Sequence, residues 1–298
     1  MMRTMIHIEN PYNGASKSAT WLLGNLHTHT TRSDGTRPPQ EVIDDYAKRG
    51  YDFLMISDHD ICTSPEDYQH WDSRGMVMIP GNEISAAGPH LLHVNADSRV
   101  DPVPDRQGVI DRCTSGRSFA IVNHPNWGEN FAHCKQEFLE TWRGYAGIEI
   151  YNGICEYLPG SGFATDRWDQ LLSAGRRIWG FANDDHHWHD QKQIEMGWNA
   201  VLAEKNLDNI IAAMKVGRFY ASTGVQIEQI EVNSDKIAIQ TQNADRIIAR
   251  SDFGRRFADT EGSSIQVQIP DGATYVRFDC HGPNRSFAWT QPFFIRLG

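Results

Sequence analysis

Apolar residues form short runs in the first two thirds of the chain, and helical patterns separate these runs. The predicted strands are 21–27, 52–57, 76–84, 90–95, 118–123, 147–152 and 177–183. The predicted helices are 38–49, 105–115, 135–143, 165–174 and 206–216. This alternation indicates a mostly parallel sheet. It suits a closed or distorted barrel. A doubly wound sheet is the alternative, although no Gly-rich phosphate loop follows the first strand.

The pattern changes near residue 224. From 225 onward, apolar and polar residues alternate with a period of two, and turn signals such as Asp271-Gly272 separate the runs. Such alternation is typical of an all-β unit. We therefore predict two units, 1–224 and 225–298. A chain of 298 residues can bury a sizeable core without disulfide bonds.

The composition excludes several classes of function. With 28 Lys and Arg against 38 Asp and Glu, the formal net charge is −10, which argues against binding duplex nucleic acid. No apolar run approaches the ~18 residues of a membrane span, and the first residues lack the apolar core of a signal peptide. The five cysteines form no Cys-x-x-Cys pair, which favours a reducing compartment. We expect a cytoplasmic protein without a membrane partner, and the oligomeric state stays open.

Histidines and carboxylates recur where the predicted strands end. In an extended segment the side chains at i and i+2 point the same way, so His27 and His29 can reach one ion. The carboxyl ends of parallel barrel strands meet at one face, so these groups are expected to converge. Imidazoles and carboxylates without thiolates favour Zn, Mn or Fe. The segments concerned are His27-Thr28-His29, Ser33-Asp34-Gly35, Ser57-Asp58-His59-Asp60, Gly81-Asn82-Glu83, His93, Asn123-His124-Pro125 and Asp184-Asp185-His186-His187.

Together these motifs resemble the PHP (polymerase and histidinol phosphatase) superfamily, in particular its stand-alone metal-dependent phosphoesterases and the CehA/McbA-like metallohydrolases. The resemblance implies an α/β protein, with a distorted (β/α)7 barrel of PHP type and a small C-terminal all-β appendage. It also implies two to three divalent metal ions (Mn, Zn or Fe). The implied ligands are His27, His29, Glu83 and Asp184 for the first ion, Glu83, His93 and His124 for the second, and Asp34, His59 and His186 for the third. His90 lies on the same short segment as His93 and is the alternative to it.

The implied reaction is phosphate ester hydrolysis, in which a hydroxide that bridges two ions attacks a small phosphorylated substrate. Candidate substrates are a nucleotide, a short oligonucleotide or a phosphate monoester. Glu83, Asp184 and His186 are expected to act in catalysis through the ions, and Asp58 is expected to orient a ligand imidazole.

Other polar residues near these motifs are candidates for contact with the substrate. The candidates for substrate binding are Arg32, Arg37, Asn126 and His187. The candidates for protonating a leaving group are His187, His189 and Lys192. Glu149 and Asn152 are expected to form hydrogen bonds behind the ligands.

Two other functions remain open at this point. The same metals could hydrolyse a carboxylic ester or carbamate, and the aromatic residues Trp127, Tyr151 and Trp188 would suit an apolar substrate. Arg32, Arg37 and Lys192 favour phosphate instead. A non-catalytic metal-binding scaffold is the third possibility, and the complete set of ligand positions argues against it.

Overall fold

The computed structural model describes residues 6–188 and 193–297, and it shows a mixed α/β protein that is rich in strands. The strands are β1 (Ile6–Glu9), β2 (Thr20–Asn25), β3 (Phe53–Leu54), β4 (Val77–Met78), β5 (Gly81–Ile84), β6 (Leu91–Val94), β7 (Phe119–Val122), β8 (Gly147–Asn152), β9 (Trp179–Asn183), β10 (Trp198–Ala203), β11 (Phe219–Ser222), β12 (Ile227–Asn233), β13 (Lys236–Thr241), β14 (Arg246–Ser251), β15 (Arg255–Glu261), β16 (Ser264–Gln268), β17 (Tyr275–His281), β18 (Phe287–Thr290) and β19 (Phe293–Leu297). The helices are α1 (Pro39–Lys48), α2 (Pro65–Tyr68), α3 (Arg106–Cys113), α4 (Gln136–Thr141), α5 (Thr165–Ser173) and α6 (Leu207–Lys215).

Local sequence accounts for the predicted helices, which are all present within two residues of their predicted ends. In α1, Pro39 occupies the first helical position, where no amide donor is needed. Val42, Ile43 and Tyr46 form its buried face. The helix ends before Gly50, whose φ of 79° suits a residue without a side chain.

The strands form three sheets. A five-stranded sheet has the order β5-β6-β7-β8-β9, and a large sheet runs β1-β19-β17-β18-β11-β10-β2-β3-β4 with β14 and β15 attached to β17. A three-stranded sheet contains β12, β13 and β16. The pairs β2/β3, β3/β4, β7/β8 and β8/β9 are parallel, while β2/β10, β10/β11, β5/β6 and β6/β7 are antiparallel.

The sheets do not close into the (β/α)7 barrel expected from the resemblance. The predicted strand 76–84 is two strands, β4 and β5, which lie at the edges of different sheets. Ile79 and Pro80 separate them, and Pro80 has no amide hydrogen to donate to a neighbouring strand. The barrel prediction was therefore wrong in its closure, although the α/β class is confirmed.

One apolar layer holds the five-stranded sheet against the large sheet. Leu22 and Phe219 come from the large sheet, and Leu92, Ile121 and Phe181 come from the five-stranded sheet. All of them are buried. This layer fixes the strands whose ends carry the polar residues described below.

The C-terminal strands are joined to the rest of the chain by hydrogen bonds. β18 pairs with β11, and β1 at the start of the described chain pairs with β19. The fully buried Arg277 on β17 also donates to Asp169 on α5, at 2.7 Å from its Nε. The large sheet therefore extends across the expected boundary near residue 224. Among residues 6–188 and 193–297, no helix is both long and apolar enough to cross a membrane.

Candidate metal centre

The segments that follow β2 and β9 pair with each other at the edge of the site. Thr28 and His186 form a parallel bridge, and the amide of His29 donates to the carbonyl of His186 at 2.8 Å. Successive side chains in extended segments point to opposite sides, so the residues that flank this bridge share one side. These flanking residues are His27, His29, Asp185 and His187.

The flanking side chains meet Glu83 from β5 in a buried group. Asp185 Oδ1 lies 3.1 Å from Nε2 of His27 and 3.1 Å from Nε2 of His29. Glu83 Oε2 lies 3.3 Å from His27 Nε2 and 3.5 Å from His29 Nε2. Two imidazoles and two carboxylates therefore surround one point.

Glu83 also contacts three further imidazoles. The parallel bridge between His59 and Glu83 places their side chains together, with 2.9 Å between His59 Nδ1 and Glu83 Oε2. The other carboxylate oxygen, Oε1, lies 3.0 Å from His90 Nδ1 and 3.3 Å from His124 Nε2. The two oxygens of Glu83 therefore face different histidines.

A third group lies at the mouth of the site around Asp34, whose side chain is 56% exposed. Asp34 Oδ2 lies 3.4 Å from His59 Nε2, and Oδ1 lies 3.5 Å from His187 Nε2. His29 Nδ1 lies 3.7 Å from Asp34 Oδ1. His59 thus offers one ring nitrogen to Glu83 and the other to Asp34.

Several of these buried atoms are close to each other and yet form no hydrogen bonds. They are His27 Nε2, both ring nitrogens of His29, His59 Nδ1 and Asp185 Oδ1. An unsatisfied buried polar atom costs about 1–3 kcal/mol, so this concentration needs an explanation. Lone pairs aimed at a shared point are the arrangement that cation ligands adopt. The donor set therefore fits divalent metal ions.

Glu149 on β8 orients the imidazole of His27 from behind. Its Oε1 accepts from His27 Nδ1 at 2.8 Å and from Asn183 Nδ2 at 2.8 Å. Its Oε2 accepts from the amide of His124 at 2.9 Å and from Asn152 Nδ2 at 2.9 Å. With its Nδ1 proton held by Glu149, His27 directs Nε2 into the site. Burial would lower the pKa of His27, but Asp185, Glu83 and Glu149 raise it well above its usual range, so a bound ion would displace a proton from Nε2.

The charge state of the site follows from burial and from the imidazoles. Burial would raise the pKa of Glu83, but neighbouring histidines, His27 and His90 among them, hold it well below its usual range. Burial would likewise raise the pKa of Asp185, and His27 and His29 lower it well below the usual range. Both carboxylates are therefore ionised at neutral pH, which is the form that could hold a cation.

Asp184 and His186 lie outside this cluster, so the structure does not bring these two predicted ligands to Glu83. Asp184 accepts hydrogen bonds from the amides of Met196 at 2.7 Å and Gly197 at 2.9 Å, and from the Tyr46 hydroxyl at 2.8 Å. Burial raises its pKa to about 7, against these hydrogen bonds. The bridge at His186 turns the side chains on either side of it, Asp185 and His187, into the site. These residues follow the two predicted ones by a single position.

His93 is also outside the cluster. It pairs with Asn82 across β5 and β6, so it shares the face opposite that of Glu83. Neither of its ring nitrogens has a hydrogen-bond partner, and burial lowers its pKa to about 4. His90, just before β6, is the residue that reaches Glu83.

Asp58 braces the turn that carries Asp34 and does not orient an imidazole. Its carboxylate accepts from the amide of Thr30 at 2.7 Å, from Thr30 Oγ1 at 2.7 Å and from Ser33 Oγ at 2.8 Å. Three hydrogen bonds from this turn fix the backbone immediately before Asp34. Asp58 therefore acts on the site through loop geometry.

The two expected phosphate-binding arginines are paired elsewhere. Arg32 donates to Thr63 Oγ1 at 3.0 Å and lies over the ring of Trp71. Arg37 donates to Glu41 at 3.1 Å and forms an ion pair with Asp45. Neither arginine lines the cavity described below. The structure therefore does not bring them to the site.

Asn126 holds a loop in place and does not line the cavity over the cluster. Its Nδ2 donates to the carbonyl of Phe163 at 2.9 Å and to Asp166 Oδ1 at 3.0 Å. Its Oδ1 accepts from Arg167 Nε at 2.9 Å. These bonds use the whole amide, and they fix the residue that precedes Trp127.

A cavity of about 240 Å³ opens over the cluster. Metal-ligand candidates form one wall and apolar side chains form most of the other, and the described part of the lining contains no Lys or Arg. His187 lines the cavity as expected, whereas His189 and Lys192 lie outside the described residues. The lining residues are Asp34, His59, Glu83, His90, His124, Trp127, Ile154, Cys155, Leu158, Asp185, His187 and Trp188.

His133 is a neighbour of the site that the sequence analysis missed. Its Nε2 accepts from the amide of His90 at 3.0 Å, and its ring lies 4.8 Å from that of His124 between centroids. It can therefore complete a group with His90 and His124. No motif marks it. Asp185 and His187 carried a signal, because they repeat the i, i+2 spacing one residue later.

Comparison with known proteins supports this fold. No family model matches the chain. A 3',5'-nucleoside bisphosphate phosphatase from Chromobacterium violaceum is 38% identical over 73 residues, which are 24% of this chain and 25% of that protein. The chain thus matches about a quarter of that relative's length.

Among solved structures, a two-domain protein from Bacteroides vulgatus, which contains a predicted PHP-like metal-dependent phosphoesterase, has a TM-score of 0.54 at 17% identity. The match covers 98% of this chain and 99% of that one. An amidohydrolase from Chromobacterium violaceum has a TM-score of 0.41 at 15% identity, over 56% of this chain and 88% of its own. The first of these structures shows that the chain has a PHP-like fold. The resemblance to PHP proteins is thereby confirmed for the fold, and the CehA/McbA-like branch is not confirmed.

Proposed function

We propose that this protein is a metal-dependent hydrolase that cleaves phosphate esters of small molecules. The observation that carries the proposal is the position of Glu83, a buried carboxylate within 3.5 Å of five imidazoles. The phosphatase from Chromobacterium violaceum with which the chain shares a segment supports phosphate as the group transferred.

Two to three divalent ions, drawn from Mn, Zn and Fe, would be held by nine residues. The nitrogen and oxygen donors without thiolates suit these metals. When bound, the ions supply positive charge for the phosphate and activate a water for attack. The nine residues are His27, His29, Asp34, His59, Glu83, His90, His124, Asp185 and His187.

The chain's own residues position the reacting groups. Glu83 holds the two halves of the centre together, because its two oxygens face different histidines. Glu149 fixes the ring of His27. His187 Nδ1 donates to the carbonyl of Asp185 at 2.8 Å, so Nε2 is directed toward Asp34 at the cavity mouth, where it would help to hold an ion.

Paired variants test this assignment, because three of the proposed ligands each have a neighbouring residue that was also a candidate ligand. Asp185→Asn, His187→Gln and His90→Gln should lower the metal content and abolish phosphate ester hydrolysis. Asp184→Asn, His186→Gln and His93→Gln should keep the metal content of the wild type in the folded fraction. Metal is measured by elemental analysis, and activity with p-nitrophenyl phosphate and p-nitrophenyl acetate.

Two results would contradict the proposal. The ligand set fails if the control variants lose metal while the proposed ligands keep it. The phosphoesterase function fails if the metal-loaded protein hydrolyses only the acetate ester.

A further inference from the structure

The wall of the cavity that faces the cluster is apolar. Trp127, Ile154, Leu158 and Trp188 line it, and Ile154 is 5% exposed. The ring of Trp127 lies 5.2 Å from the ring of His124 between centroids, with the planes at 82°. The apolar wall therefore begins at Trp127, directly beside the candidate metal ligand His124.

Two loops hold this wall in place. Trp127 forms an antiparallel bridge with Gly160, and the amide of Gly128 donates to the carbonyl of Pro159 at 2.8 Å. A Cβ atom at Gly160 would lie 2.4 Å from the carbonyl oxygen of Asn126, so only glycine permits this approach. The part of the wall that Trp127 forms is thus in place before any substrate arrives, which lowers the cost of binding.

The charges in the cavity favour a substrate with one phosphoryl group. In the described lining the charged groups other than histidines are Asp34, Glu83 and Asp185, all acidic. Arg32 and Arg37 are engaged outside the cavity. Ions held by these ligands would supply positive charge at one end of the cavity, and the described residues place no Lys or Arg at the other. A second phosphate at the apolar end would be desolvated without a counter-charge from the described lining.

The size of the cavity points the same way. Its volume of about 240 Å³ is below the ~300–1,000 Å³ usual for small-molecule sites. A compact group beside the phosphate fits such a space.

We infer that the substrate is a phosphate monoester of a planar apolar alcohol, whose ring packs on Trp127 and Leu158 while its phosphate faces Glu83. This inference rests on the proposed phosphoesterase function. In the reaction, the oxygen of water bonds to phosphorus and the bond from phosphorus to the ring-bearing oxygen breaks. That oxygen takes a proton, and the aryl alcohol and inorganic phosphate are released.

Two phosphonates with the same head group test this inference. They are not hydrolysed as esters, so they report binding alone and not the reactivity of a leaving group. Phenylphosphonate and methylphosphonate are compared as inhibitors of the manganese-loaded protein, with p-nitrophenyl phosphate as reporter. Phenylphosphonate should bind at least about tenfold more tightly, because it buries its ring. Trp127→Ala should reduce this preference about tenfold, and Leu158→Ala should reduce it about threefold. Phe131→Ala is the control, because Phe131 is a 51% exposed aromatic residue on the same loop that does not line the cavity.

The outcomes separate the inference from the function on which it rests. If the protein hydrolyses phosphate esters but its preference between the phosphonates is the same in Trp127→Ala and the wild type, the inference fails and the function stands. A higher kcat/KM for adenosine 3',5'-bisphosphate than for phenyl phosphate would also overturn the inference alone. If no phosphate ester is hydrolysed and neither phosphonate binds, both fail.

Discussion

Replacing Glu149 by Gln tests whether a buried carboxylate sets the metal affinity of His27. Glu149 is the acceptor in four hydrogen bonds, two at each carboxylate oxygen. A glutamine side chain replaces one oxygen by an amide group, which cannot accept from either of its two donors. At about 1–3 kcal/mol for each unmatched buried donor, the metal-free protein should lose about 2–6 kcal/mol of stability.

The same substitution should also weaken metal binding. With the new amide group facing His27, Nδ1 has no acceptor, and the ring can take the tautomer that places a proton on Nε2, toward the site. Losing such an orienting partner costs about 10–100-fold in metal affinity, or about 1.4–2.7 kcal/mol. The affinity of chelator-stripped protein for Zn²⁺ or Mn²⁺ can be measured by competition with a chromophoric chelator, which needs no substrate.

Glu156→Gln is the matched control, because Glu156 is an exposed carboxylate in the segment that follows β8. It should bind metal as the wild type does. The reasoning is refuted if folded Glu149→Gln protein binds metal within twofold of the wild type, or if both variants lose affinity equally.

Three further predictions concern charge, pH and metal removal. Arg32→Ala and Arg37→Ala should each change kcat/KM for phenyl phosphate by less than about threefold, because both side chains are paired outside the cavity. A loss of about 100-fold would indicate that these arginines bind the phosphate. Burial would raise the pKa of Asp279, but Arg277 and Arg250 lower it, so this carboxylate stabilises the fold above about pH 4 and loses that contribution as pH falls through its lowered pKa. Urea unfolding should therefore show a shallower loss of stability below pH 4 in Asp279→Asn, and parallel curves would contradict this. Mn²⁺ added to metal-stripped protein at ~100 times its dissociation constant should stabilise the fold by about 2.7 kcal/mol. Differential scanning calorimetry should then show a Tm that is several degrees higher. An unchanged Tm would argue against binding to the folded state.

The sequence predicted features that depend on neighbours along the chain. The amphipathic pattern of 38–49 and the strand 147–152 are examples, because side-chain period and local turn residues determine them. The closure of the sheets could not be obtained in this way, because it depends on which distant edges pair. β1 and β10 were not predicted as strands, and their partners lie far away in sequence.

The candidate site shows the same division. The spacing of His27 and His29 indicated two side chains on one side, and the structure brings them together. The phase of the later segment could not be read in the same way, because it depends on the bridge between Thr28 and His186. A single residue of slip moves every side chain in such a segment to the other side. That is why Asp185 occupies the position expected for Asp184.

The most direct test of the account is to locate the metal in crystals of the protein grown with Mn²⁺, by anomalous diffraction. We expect anomalous peaks within coordinating distance of Glu83, with Asp185 and His27 at one and His90 and His124 at another. Peaks coordinated by Asp184, His186 or His93, or no peak near Glu83 in protein that hydrolyses phosphate esters, would contradict the account.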